Sequence, residues 1–135
     1  ENKFGDSHPY YVASRKNENM MMAATKEVIP DGVVIYSLFG EKADHLIMVR
    51  QFRYPLNDYI YELPAGLIDP GESIKETAIR EMKEETGLTI KNPYLCGLYH
   101  WNKHSIHNII LVYKASEYEG VLHSSDEGEV YWIDK

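Results

Sequence analysis

Two consecutive stretches decide the reading: Gly66-Leu67-Ile68-Asp69-Pro70-Gly71-Glu72-Ser73, then Ile74-Lys75-Glu76-Thr77-Ala78-Ile79-Arg80-Glu81-Met82-Lys83-Glu84-Glu85-Thr86-Gly87-Leu88. The second carries helix signals at both ends. Ser73 is an N-cap residue and Glu76, three residues on, completes a capping box, in which the two side chains satisfy backbone N–H groups that the first turn leaves free. Ile74, Ala78 and Met82 recur every four residues as an apolar stripe with Ile79 beside it. Gly87 supplies the left-handed residue that commonly ends a helix. The spacing predicts a helix over 74–86.

The polar face of that helix is unusual. Glu81, Glu84 and Glu85 are neighbours at i, i+3 and i+4, and like charges at this spacing destabilise a bare helix. Arg80 stands four residues from both Glu76 and Glu84 and can offset part of the repulsion. A hard divalent cation would offset more, because Mg²⁺ prefers carboxylate oxygens and water. Upstream, Gly66 and Gly71 permit tight turns and close backbone approach to a ligand. A solvated acidic helix after a turn is the ordinary meaning of such charges. The full spacing argues otherwise. Seven fixed residues (Gly66, Glu72, Arg80, Glu81, Glu84, Glu85, Gly87) and two apolar ones (Met82, Leu88) fall in one register. Average residue usage would produce that in fewer than about one window in a million.

The rest of the chain supplies a mixed sheet. Val33 to Phe39 and Leu46 to Phe52 read as core strands, and Tyr59 to Leu63 alternates as a third. Strands are also expected near Tyr10 to Arg15, across Met20 to Ile29, and over Tyr94 to Leu98, Ile106 to Tyr113 and Val130 to Ile133. Pro30-Asp31-Gly32 makes a turn. The expected class is α/β, with one domain over residues 1–135 and only one of the two helices needed to cover a sheet on both faces.

The totals are consistent with this. A chain of 135 residues with 44% hydrophobic and 26% charged residues fits one globular domain. A net charge of −7 argues against a grip on nucleic-acid phosphates but not against a small phosphate substrate, since a bound cation reverses the local sign. Cys96 is the sole cysteine, which suits a reducing cytosolic setting. No apolar run is long enough to span a membrane and no signal-peptide pattern opens the sequence. Glu1 in place of a Met is expected if a few native residues precede it.

The arrangement Gly66, five residues, Glu72, seven residues, Arg80-Glu81-Met82-x-Glu84-Glu85-x-Gly87-Leu88 resembles the Nudix hydrolase box, with Met82 where an aliphatic residue is commoner. Tyr10 to Lys16, Val49-Arg50-Gln51-Phe52-Arg53-Tyr54 and Glu62-Leu63-Pro64-Ala65-Gly66 are similar to the ADP-ribose pyrophosphatase branch of that family. Beyond residue 90 the likeness changes. The proline-containing loop of that branch is not found, and Pro93 is too close to the box to serve. Cys96-Gly97-Leu98-Tyr99-His100-Trp101, Tyr113-Lys114 and Asp126 to Ile133 instead resemble Nudix enzymes acting on nucleoside triphosphates, oxidised ones included.

The resemblance implies an α/β/α sandwich around a mixed sheet, with the usual C-terminal helix apparently missing after the last strand. It implies metal ligation by Glu81, Glu84 and Glu85, with a carbonyl near Ala65 or Gly66. The cation would be Mg²⁺, or Mn²⁺ in its place. Arg80 would orient the glutamates, and Glu72 would support it from the edge of the site. The general base is Glu81 or, on the loop before the last strand, Glu127. Arg53 and Arg50 are candidates for phosphate or ribose contacts. Tyr54 and Trp101 are candidates for stacking on a base, as are Tyr10, Tyr11 and Tyr59. His100, His104 and His107 lack a zinc-like spacing and a partner cysteine. The expected substrate is ADP-ribose, split to AMP and ribose 5-phosphate, with a nucleoside triphosphate as the alternative and a non-catalytic nucleotide sensor as a third reading. No nucleic-acid or membrane partner is expected. A homodimer is, joined through the apolar segment 10–29.

Overall fold

The computed structural model describes residues 19, 22–26, 30, 32–103, 106–126 and 128–134, with backbone alone for 22–23, 100–103 and 106–109. Two helices and nine strands appear among them: α1 Met22–Thr25, β1 Gly32–Phe39, β2 His45–Arg53, β3 Asp58–Glu62, β4 Ala65–Leu67, α2 Ile74–Thr86, β5 Leu88–Lys91, β6 Tyr94–Lys103, β7 Ile106–Ala115, β8 Glu117–Gly120 and β9 Glu129–Asp134.

The first of these corrects an expectation. The segment from Met20 to Ile29 was read as a strand, yet Met22–Thr25 forms one helical turn, closed by Lys26 at φ 61°. Two consecutive alanines are the strongest local helix formers available, and Met22–Thr25 takes the turn they favour; residues 20, 21 and 27–29 of that segment lie outside the described residues. The strand expected over Tyr10 to Arg15 lies outside the described residues.

β1 organises the sheet. Val33, Ile35, Ser37 and Phe39 are buried on one of its faces, as the period of two demands. Along one edge it pairs in parallel with β7, from Val33 opposite Leu111 to Ser37 opposite Ala115. Its other edge is split. The N-terminal half pairs with β4, Gly32 opposite Leu67 and Val34 opposite Ala65, while the C-terminal end pairs with β2, Leu38 opposite Leu46. At the fork the Ile35 N–H donates to Pro64 O at 2.8 Å. β2 in turn pairs with both β3 and β9, and β6 lies outside β7. β5 and β8 form a separate two-stranded ribbon.

α2 packs against β1, β4 and β5. Ala78 and Met82 are fully buried in one core with Val33, Ile35, Ile47, Leu88, Ile90 and Ala115, and Ile74 and Ile79 flank it. The opposite face of β2, β3 and β9 bears half-exposed rings. Phe52 and Tyr59 meet edge-on with centroids 5.2 Å apart, and Tyr61 and Tyr131 do so at 5.8 Å. One helical layer of the sandwich is therefore in place among the described residues, and the second is not among them.

Candidate active site

α2 begins and ends as its sequence directs. The Ser73 side chain accepts from the Glu76 N–H, the Glu76 carboxylate accepts from the Ser73 N–H at 2.8 Å, and Gly87 closes the helix at φ 78°. Glu76 is thereby committed to the cap, so the Glu76–Arg80 pair that the spacing allowed does not form.

Arg80 is instead the hub of the acidic face. Its Nε and Nη2 each donate at 2.9 Å to the two oxygens of Glu72, a bidentate grip. Nη2 also donates to Leu67 O at 3.0 Å, and Nη1 donates to Glu81 at 2.8 Å and to Glu84 at 2.9 Å. Glu72 is fixed further by the Thr77 hydroxyl at 2.7 Å and the Asp69 N–H at 3.3 Å. These donors, Arg80 foremost, hold its carboxyl down at about 2, and the same contact raises the Arg80 guanidinium. Glu72 and Arg80, which the resemblance pairs at the edge of the site, are thus in direct contact. Thr77 and the Leu67 carbonyl are parts of the site that sequence reasoning missed. A threonine five residues after Glu72, on the adjoining turn of the helix, was the available signal for the first; a carbonyl leaves none.

Glu81 lies directly over Gly66. A Cβ built on Gly66 would run into the Glu81 carboxylate, so only glycine leaves that carboxylate its seat. Glu85 is 5% exposed and is the one charged side chain in the buried set among the described residues. Glu84 is open to solvent. Glu81, Glu84 and Glu85 are carboxylates of one helix, donors of the kind a hard divalent cation prefers, and Glu81 among them faces the Gly66 backbone. Among the described residues no group of three His, Cys, Asp or Glu side chains is placed to hold a metal ion; Glu81 and Glu84 meet at Arg80 Nη1 instead.

The remaining candidates lie apart from this cluster in their contacts. Arg50 pairs with Glu129 at 2.9 Å and stacks 4.0 Å over the Tyr59 ring, on the aromatic outer face. Arg53 pairs with Glu62 at 2.6 Å, just ahead of the turn into β4. Tyr54 opens a 3-10 turn, Tyr54–Leu56, and is 85% exposed. Trp101 sits on β6 opposite Asn108, and its side chain is not described. Glu127 lies outside the described residues. The loop that carries it is tied to α2, because the His123 N–H donates to Thr86 O at 3.0 Å and the His123 ring packs on Gly87.

Residues 28–134 match the NUDIX domain. The chain belongs to the Nudix hydrolase family. Among Nudix relatives, an ADP-ribose pyrophosphatase of Bacillus subtilis is 35% identical over 97 residues, 70% of this chain and 51% of the relative. An ADP-ribose pyrophosphatase of Saccharomyces cerevisiae is 44% identical over 64 residues, 45% of this chain and 28% of the relative. Of solved Nudix structures, a MutT protein from Bacillus halodurans superposes with a TM-score of 0.63 at 29% identity, covering 76% of this chain and 67% of that one. An ADP compounds hydrolase superposes at 0.62 and 26% identity, covering 76% and 55%. The chain thus spans about half the length, or less, of these curated relatives. Among the described residues no helix is long and apolar enough to cross a membrane.

Proposed function

We propose that this Nudix chain hydrolyses the diphosphate linkage of ADP-ribose, releasing AMP and ribose 5-phosphate, with a divalent cation, Mg²⁺ or Mn²⁺, as cofactor. The observation that carries the chemistry is the acidic face of α2, where Glu81 seats on Gly66 beside Glu84, Glu85 and the Arg80 hub. Glu81, Glu84, Glu85 and the Gly66 carbonyl would hold the cation. Bound there, it supplies charge neutralisation for the diphosphate and a lowered pKa for water. Arg80 sets the directions of the Glu81 and Glu84 carboxylates, and Glu72 holds Arg80. Water attacks one phosphorus and the other phosphate leaves, with Glu81 or Glu127 taking the proton. Arg53, Arg50, Tyr54 and Trp101 are proposed as contacts to the rest of the nucleotide.

The choice of ADP-ribose is supported by the two relatives named for that activity. Likeness of the second half to enzymes acting on nucleoside triphosphates favours the alternative, a nucleoside triphosphate pyrophosphohydrolase. Product analysis decides between them: ADP-ribose, NADH, diadenosine polyphosphates and nucleoside triphosphates are each offered with Mg²⁺. AMP with ribose 5-phosphate supports the first reading, and a monophosphate with pyrophosphate the second. Undiminished turnover in excess chelator removes both. The proposal extends to a cytosolic setting, for which the single cysteine speaks, and to a homodimer through segment 10–29, which a monomeric mass by light scattering would refute.

A further inference from the structure

We propose that Arg80 is a clasp that competes with the cation for Glu81 and Glu84, so that the chain's metal affinity is set by how readily the guanidinium releases those two carboxylates. The inference rests on the metal reading of the site above.

A guanidinium has five N–H donors, and all five are engaged here. They divide unequally. Nε donates one bond and Nη2 two, to the Glu72 oxygens and Leu67 O, none of which belongs to the proposed donor set. Both remaining bonds come from the single nitrogen Nη1 and end on Glu81 Oε1 and Glu84 Oε2, which do belong to it. A cation that draws in these oxygens therefore strips one nitrogen of its acceptors and leaves the other two fully bonded. The guanidinium keeps its position while its outer edge is vacated. Glu84, with 61% of its side chain exposed against 15% for Glu81, is the carboxylate with most room to swing. A dication and a guanidinium placed against the same pair of carboxylates also repel each other.

A plain orienting role for Arg80 predicts the opposite sign. If the arginine only holds the glutamates in a binding geometry, its removal weakens metal binding. If it also occupies them, its removal strengthens binding, because a site that must first open binds with an affinity reduced by its open fraction.

The test is calorimetric titration of Mn²⁺, without nucleotide and at fixed ionic strength, into wild type, Arg80→Gln, Arg80→Lys and Lys91→Gln. Lys91 pairs with Glu119 on the β5–β8 ribbon at 2.8 Å, so its loss changes net charge equally without touching the clasp. Arg80→Gln is expected to tighten Mn²⁺ about tenfold, the factor for a clasp closed roughly nine-tenths of the time. Arg80→Lys, which keeps the charge but not the fork, should fall between it and wild type, and Lys91→Gln should match wild type. Without metal Arg80→Gln should melt below wild type, and saturating Mn²⁺ should raise its Tm by more. Folded Arg80→Gln that binds Mn²⁺ as wild type does, or more weakly, overturns the clasp. Should Arg80→Gln fail to fold, Arg80→Lys decides by the same criterion. Wild type that binds no Mn²⁺ overturns the metal reading itself, and the clasp with it.

Discussion

Replacing Glu72 with Gln isolates one charge in the site. The amide oxygen can still accept from Thr77 and from the Asp69 N–H, so shape and neutral hydrogen bonds survive, but the carboxylate facing Arg80 is gone. In the folded chain this carboxyl is held at about 2, against 4.5 for the ordinary group. A carboxyl depressed on folding contributes stability that is complete above the unfolded value and is lost as pH falls towards the folded one. At 1.36 kcal/mol per decade the full gap corresponds to at most about 3–4 kcal/mol. The Arg80 side chain is 27% exposed and shared among four carboxylates, Asp69, Glu72, Glu81 and Glu84, so screening brings the expected effect to about 1–2 kcal/mol. Urea denaturation of wild type and Glu72→Gln at pH 7, 5 and 3 measures it. The variant should be less stable by that amount at pH 7 and nearly so at pH 5, and the gap should shrink by more than half at pH 3. A gap of the same size at pH 7 and pH 3 would refute the argument, because it would show that the loss comes from shape and not from charge.

Gly66→Ala should leave the fold intact, since the displaced atoms are the far end of the Glu81 side chain, yet reduce turnover by about two orders of magnitude through the loss of that seat; near-normal rates with a native circular dichroism spectrum would count against the Glu81 position. Glu85→Gln and Glu84→Gln should each cost orders of magnitude in rate, while the metal-free Glu85→Gln protein melts no lower than wild type because a repelling charge has gone; Glu84→Gln, which also loses an exposed pair with Arg80, should lose no more than about 1 kcal/mol of stability. Glu76→Gln is the control on the same helix: it loosens the cap and spares the rate, and equal rate losses at Glu76 and Glu85 would rule out the helix as the metal platform. Ser37→Ala should leave Tm unchanged or raise it, because the Ser37 hydroxyl is buried without a hydrogen-bond partner among the described residues; a loss above about 1 kcal/mol would mean that it has one.

How much of this was legible depended on how local the determining contacts are. α2 was legible to the residue, because its cap, its apolar stripe and its terminal glycine all lie within the segment itself. β1, β2 and β3 were found to within two residues for a similar reason, since each carries its own run or alternation of apolar residues. β4, β5 and β8 were not found. Ala65–Leu67 is a short piece after a proline, made a strand only by β1 beside it. Leu88–Lys91 and Glu117–Gly120 are made strands by each other across a long intervening sequence, and Glu117 to Gly120 is exposed throughout, with no alternation to read. In the site, the charges were legible by spacing, but the division of labour was not. Arg80 and Glu76 are four residues apart, yet the cap wins Glu76 because its backbone donors are already in place. The burial of Glu85 was also hidden, since a charged residue beside two others reads as solvent-facing until the packing of α2 is known.

The pairing of β2 with β9 bears on how the protein is made. His45 lies opposite Asp134 and Val49 opposite Val130, so a strand formed early in synthesis waits for one near the other end of the described chain. Such distant pairings slow folding, and nascent chains fold from the N-terminal side as they emerge. When α2 leaves the ribosome, its glutamates and Arg80 are already adjacent, but β7 and β9, which flank the strands beneath it, are still to come. The acidic helix is then a local structure on an unfinished sheet, and β9 reaches its place beside β2 only after the helix is complete.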